Sequence, residues 1–126
     1  MILLKSPEEI ENIRHGGAIL STILSELVAM VKPGVTTEEL DVAAERMIRE
    51  AGGEPAFKGY QPRPDLRPFS TTICASLNNE VVHAPAVPSR EIKDGDVVKL
   101  DIGMRYPSPP PSPAGRGGSK YSPAPL

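Results

Sequence analysis

His83 and Asp101 are the two side chains whose types and positions suggest chemistry. His83 directly follows Val81 and Val82, and Asp101 lies in the apolar stretch 97–102 behind a turn-forming Asp-Gly pair. Two short strands joined by a loop are therefore predicted, with Asp101 pointing away from the apolar face of its strand. Such residues could bind a cation or a positively charged group. Spacing alone favours the structural interpretation, in which they are a hydrogen-bonded histidine and a surface carboxylate.

Two helices precede these strands and must position them. Ser6-Pro7-Glu8-Glu9 combines a serine N-cap, a proline in the first turn and a capping glutamate, which predicts a helix over residues 7–31. Thr36-Thr37-Glu38-Glu39 repeats this pattern and begins a second helix that ends at Gly52-Gly53. Apolar residues at steps of three and four predict one core-facing side on each helix. These residues are Ile10, Ile13, Leu20, Leu24, Leu27, Val28 and Val31 in the first helix, and Leu40, Ala43, Ala44, Met47 and Ile48 in the second.

Prolines shape the remaining segments. Four of them predict a loop over residues 54–69, and residues 71–76 have the composition of a strand. Residues 107–126 contain seven Pro, four Ser and three Gly, with Leu126 as their one large aliphatic side chain. This composition predicts a disordered tail over residues 105–126, which follows a domain formed by residues 1–104.

Composition excludes several classes of protein. With 14 basic and 16 acidic residues, the chain lacks the positive field expected of a nucleic-acid-binding protein. Cys74 is the single cysteine, so neither an intrachain disulfide nor a zinc finger is expected. The sequence shows no signal peptide and no run of apolar residues long enough to span a membrane. A cytoplasmic protein with no membrane partner is therefore predicted.

Two motifs resemble a known family. Asn79-Glu80-Val81-Val82-His83, followed by Lys93-Asp94-Gly95-Asp96-Val97-Val98-Lys99-Leu100-Asp101-Ile102-Gly103, closely resembles the middle of the type I methionine aminopeptidases. The resemblance extends from the N-terminus to about Met104. It implies the N-terminal half of the α/β (α+β) pita-bread fold, with two helices and then short antiparallel strands. The implied activity is removal of the initiator methionine from nascent polypeptides by a monomeric enzyme.

The resemblance also implies roles for individual residues. His83 matches the family histidine that hydrogen-bonds the substrate near the scissile peptide, and Asp101 matches the first metal-binding aspartate. Phe57, Tyr60 and Cys74 match residues that line the methionine pocket. As structural alternatives, the two aromatic residues could cover an edge of the core and Cys74 could be a small buried side chain. The chain departs from the family at residues 61–68, here called the proline-rich loop, which replaces a short glycine-rich turn.

The family uses two divalent metal ions, such as Co, Mn, Fe or Zn, held by two aspartates, a histidine and two glutamates. No Asp, Glu or His follows Asp101, so four of these ligands have no counterpart. One carboxylate cannot hold such ions stably. We therefore expect a truncated, inactive aminopeptidase. The alternatives are a non-catalytic module that binds a peptide or a partner, and a relative of the creatinase and proline-peptidase branch. The Glu-Val-Val-His stretch suits the methionine branch better.

Overall fold

The computed structural model describes residues 4–107, in which two helices are followed by four short strands. The helices are α1 (Pro7–Met30) and α2 (Thr37–Glu50), and the strands are β1 (Glu54–Pro55), β2 (Ile73–Leu77), β3 (Val98–Ile102) and β4 (Met104–Arg105). β2 and β3 pair antiparallel, with Ile73 opposite Ile102 and Leu77 opposite Val98. β1 pairs antiparallel with β4. Within residues 4–107, neither helix combines the length and the apolar character needed to cross a membrane.

Both helices begin at the predicted capping boxes. The Glu9 amide donates to Ser6 Oγ at 3.2 Å, and the Ser6 amide donates to the Glu9 carboxylate at 2.7 Å. Thr36 and Glu39 form the same pair of bonds at 3.2 Å and 2.7 Å. Because each box is satisfied within four residues of sequence, the two helix starts follow from local chemistry.

The predicted core-facing side is confirmed for α2. Leu40, Ala43, Ala44 and Ile48 are buried, and Met47 packs against them.

The prediction for α1 is partly wrong. Leu27 is buried as expected, but Ile10, Ile13 and Val28 are exposed, while Gly16 and Ile23 are buried instead. Apolar residues occur on more than one side of α1, so their spacing alone does not determine which side faces the core. Contacts with a distant part of the chain determine which side is buried. A Cβ atom added to Gly16 would lie only 3.1 Å from Tyr106 Cβ, so the helix packs closely on this side.

The predicted strand at Val81-Val82 is wrong, since both residues are exposed and lie outside any strand. The next residue, His83, has a φ of 60°, which is incompatible with extended backbone. The following segment lies along the free edge of β2, where the Ala75 amide donates to the Ala84 carbonyl at 2.9 Å. The segment that carries His83 is therefore a loop held against the sheet.

Strand bounds also differ from expectation near β1 and β4. Residues 54–69 were predicted to be loop throughout, yet Glu54 and Pro55 pair with Arg105 and Met104. The predicted boundary at Met104 thus falls inside β4, and the Tyr106 ring stacks on His15 with a centroid separation of 5.3 Å. The rest of the predicted tail, residues 108–126, lies outside the described residues.

Candidate functional site

A cavity of about 490 Å³ brings together all five side chains singled out in the sequence: Phe57, Tyr60, Cys74, His83 and Asp101. They come from the loop after β1, from β2, from the loop after β2 and from β3. Its other lining residues are Pro62, Leu66 and Arg67 of the proline-rich loop, and Phe69. The volume lies within the range of about 300–1,000 Å³ that is usual for small-ligand pockets. Residues far apart in sequence therefore form one mostly apolar pocket with few polar groups.

Cys74 and Asp101 form the sheet side of this cavity. They lie directly opposite each other in the antiparallel pairing of β2 and β3. Cys74 is buried, whereas the Asp101 side chain is exposed in the cavity. Burial raises the pKa of the Cys74 thiol, and the negative charge of Asp101 raises it further. Cys74 is therefore a neutral wall residue at pH 7, and Asp101 supplies negative charge.

Phe57 and Tyr60 form an aromatic wall that the backbone holds in place. The Phe57 ring meets the Phe69 ring edge-on, at 6.4 Å between centroids. The Phe69 amide donates to the Tyr60 carbonyl at 2.8 Å, which closes the base of the proline-rich loop. Gly103 makes room for this wall, because a Cβ atom there would lie 2.7 Å from Phe57 Cε1. Sequence reasoning assigned Gly103 no role.

His83 is exposed and its backbone is left-handed, a conformation that histidine adopts more readily than β-branched residues do. On its C-terminal side, the Ala84 amide donates to Ser76 Oγ at 3.3 Å. On its N-terminal side, the Glu80 carboxylate accepts from the Leu77 amide at 2.7 Å. The imidazole thus extends from a loop that is fixed on both sides, while the ring remains accessible to a ligand.

Arg90 is the principal residue that holds this loop, and no sequence pattern indicated this role. Its guanidinium donates to the carbonyls of Ala75 at 2.7 Å, Pro85 at 3.2 Å and Pro88 at 3.2 Å. It also lies 3.4 Å from the Glu80 carboxylate. Arginine can bridge several backbone acceptors in this way because its five N–H donors form a rigid planar fork. These bonds connect β2 to both ends of the loop.

The residues in this region do not form a metal site by themselves. Within residues 4–107 there is no cluster of three or more His, Cys, Asp or Glu side chains able to hold an ion. Asp101 is a suitable oxygen ligand, and it is the one carboxylate among the described residues that line the cavity. The described residues can therefore offer one carboxylate to a metal ion and cannot complete its coordination.

Comparison with known proteins relates this chain to a family. Residues 11–108 match metallopeptidase family M24. Among curated proteins, methionine aminopeptidase 1 of Bacillus subtilis is 42% identical over 106 residues, which is 83% of this chain and 40% of that protein. The methionine aminopeptidase of Clostridium perfringens is 44% identical over 105 residues, which is 82% of this chain and 39% of that protein. The resemblance inferred from the two motifs is therefore confirmed.

Solved structures agree with this assignment. The methionine aminopeptidase of Thermotoga maritima superposes with a TM-score of 0.74 at 31% identity, covering 82% of this chain and 39% of that one. A methionine aminopeptidase from Streptococci superposes with a TM-score of 0.75 at 34% identity, covering 85% and 38%. The predicted pita-bread architecture is thus confirmed for the described residues. The chain spans about two fifths of the length of these relatives.

Proposed function

Because this chain belongs to metallopeptidase family M24, we propose that its cavity is the substrate pocket of an aminopeptidase that removes the N-terminal methionine from nascent polypeptides. The observation that carries this proposal is the convergence of Phe57, Tyr60, Cys74, His83 and Asp101 on one cavity. The names of the relatives, methionine aminopeptidases, support the substrate class.

The lining of the cavity suits a methionine side chain. A thioether packs favourably against aromatic rings, and Phe57 and Tyr60 supply such rings beside the buried Cys74. We propose that His83, on its fixed loop, hydrogen-bonds the peptide that follows the methionine. Its contribution is orientation of the substrate, which lowers the barrier only when the reacting groups are also present.

Family membership implies use of divalent metal ions, and we propose that Asp101 is one of their ligands. When bound, such ions would activate water and stabilise the developing oxyanion. Co, Mn, Fe and Zn are the candidate metals. Since residues 4–107 offer no complete site and no Asp, Glu or His follows Asp101, we propose that these 126 residues are inactive alone. The proposal further places the enzyme in the cytoplasm as a monomer that requires neither nucleic acid nor membrane.

Binding and turnover test separate parts of this proposal. The 126-residue chain is titrated with Met-Ala-Ser amide, and with the same peptide carrying lysine in place of methionine. Binding of the methionine peptide at least about tenfold tighter, equivalent to about 1.4 kcal/mol, is expected from an apolar pocket. Equal binding of the two peptides would refute the methionine pocket.

Turnover is measured on the methionine peptide with each of the four metals. No release of methionine is expected. Release that disappears in Asp101→Ala, while Asp65→Ala on the proline-rich loop retains it, would refute the proposed inactivity and would support the metal role of Asp101.

A second candidate function is a non-catalytic module that binds peptides. It is favoured by the contrast between a formed cavity and the absence of a metal cluster among residues 4–107. The two functions differ in their response to metal. If Asp101 is a metal ligand, the affinity for the peptide should change when Mn²⁺ or Co²⁺ is added. If the chain is a non-catalytic binding module, the affinity should be the same with either ion or with a chelator.

A further inference from the structure

The proline-rich loop is a fixed part of the cavity wall. Its base is closed by the backbone bond from Phe69 to Tyr60, at 2.8 Å. Within the loop, the Gln61 side chain donates to the carbonyls of Pro64 at 3.2 Å and Leu66 at 2.5 Å. These bonds, together with its prolines, limit the loop to few conformations. Leu66 and Arg67 are therefore held at the cavity as part of its lining.

Arg67 gives this wall a positive charge that no acid in the described part of the chain neutralises. It is the one arginine or lysine among the described residues that line the cavity. The single acid of the loop, Asp65, pairs instead with Arg63 at 3.2 Å. Among residues 4–107, no acidic side chain lies within ion-pair distance of Arg67, and this includes Asp101 on another wall of the same cavity. The cavity thus carries one negative and one positive group that are separate from each other.

This arrangement matches a ligand with separated charges. A short peptide has an α-ammonium group at one end and a carboxylate at the other, with apolar side chains between them. In the chain without bound metal, Asp101 is free to attract the ammonium group, and the guanidinium of Arg67 is a planar donor that suits a carboxylate. Both charges are complementary to those of the ligand, so they would favour one orientation of the peptide in the cavity.

Resting on the proposed function, we infer that Arg67 selects peptides that carry a carboxylate shortly after the N-terminal methionine. The carboxylate could be the free C-terminus of a dipeptide or an acidic side chain at the second position. The proline-rich loop would then be a specificity element for short or acidic peptides.

The test compares three ligands that differ only in charge: Met-Ala with a free C-terminus, Met-Ala amide and Met-Asp amide. Their affinities for the 126-residue chain are measured at low ionic strength, where an exposed ion pair is least screened. We expect Met-Ala acid, Met-Asp amide or both to bind about two- to fivefold more tightly than Met-Ala amide, the range for exposed pairs. Arg67→Gln is expected to abolish the preference, and Arg67→Lys to retain part of it.

Arg63→Gln is the matched control, because it removes the same charge from the same loop at a residue outside the cavity lining. Loss of the preference in Arg67→Gln but not in Arg63→Gln would support the inference. Equal loss in both variants, or a preference that survives Arg67→Gln, would overturn it. If the amide and acid peptides bind equally to the unmodified chain, the inference about Arg67 is refuted, whereas the proposed methionine pocket is not. If no methionine peptide binds, the proposed function fails as well.

Discussion

Thr37, the first residue of α2, forms two reciprocal hydrogen bonds with Arg90. The Thr37 amide donates to the Arg90 carbonyl at 2.9 Å, and the Arg90 amide donates to Thr37 Oγ1 at 3.0 Å. The same hydroxyl donates to the buried Ala86 carbonyl at 2.6 Å. Because Arg90 also holds both ends of the His83 loop, α2 and the cavity are joined through one buried threonine.

Replacing Thr37 with valine should destabilise the fold by about 2–3 kcal/mol. The change preserves the shape of the side chain but leaves the Ala86 carbonyl and the Arg90 amide without partners in a poorly hydrated region. Urea unfolding followed by circular dichroism would measure the change in free energy. Thr22→Val is the control, since that hydroxyl is exposed and bonds only to the Ala18 carbonyl. A Thr37→Val effect no larger than that of Thr22→Val would contradict the structural role of this hydroxyl.

Asp41 should make the folded protein less stable as the pH rises. This carboxylate accepts from the amides of Thr72 and Ile73 at 2.7 Å and 2.9 Å, and burial raises its pKa despite these bonds. A raised pKa in the folded state means that the folded protein binds the proton more tightly than the unfolded chain. The native protein therefore loses stability as the pH rises from the ordinary aspartate pKa through the raised one.

Asp41→Asn removes this titration while keeping an acceptor oxygen. The unfolding free energy of the native protein minus that of the variant should fall across this interval and level off above it. Because both proteins share every other titrating group, the difference isolates Asp41. A difference that rises with pH, or that stays constant, would contradict the effect of burial on the Asp41 pKa.

Gly103→Ala should weaken peptide binding by displacing the aromatic wall. The new methyl group would lie 2.7 Å from Phe57 Cε1 and 3.1 Å from Cζ, so the ring must move. A loss of affinity for Met-Ala-Ser amide of about tenfold is expected, because a repacked wall costs about 1–3 kcal/mol. Gly17→Ala is the control, since nothing lies within 4 Å of its added Cβ. It should leave binding unchanged, and equal affinities for all three proteins would show that Gly103 does not shape the pocket.

Local patterns in the sequence predicted the helices and the core-facing side of β3, but not the long-range contacts. Ser6 and Thr36 fix their helix starts through bonds to residues three positions away, so the sequence contains the whole interaction. β1 and β4, which pair Glu54 with Arg105, contain only two residues each. Strands this short leave no recognisable pattern in the sequence. Val81 and Val82 have the composition of a strand, but the left-handed His83 that follows ends any extended run.

Five of the residues that line the cavity were predictable because segments of the sequence resemble a family. Their supports were not predictable, because Arg90 and Thr37 act through backbone carbonyls and amides that carry no sequence signature. Arg67 was also missed, since its relevance depends on the fold of a loop that departs from the family pattern. Chemistry that a side chain performs directly is easier to read from sequence than the positioning of that side chain.

The proposed pocket for an N-terminal methionine combines five residues from separate segments of the chain. Binding there can be followed by the amide and side-chain NMR signals of the 126-residue chain during titration with Met-Ala-Ser amide. We expect the signals of Phe57, Tyr60, Cys74, His83 and Asp101 to shift together with one dissociation constant. Shifts confined instead to a groove of about 360 Å³ at the start of α2, beside Thr36, Val42 and Arg46, would contradict the proposed pocket.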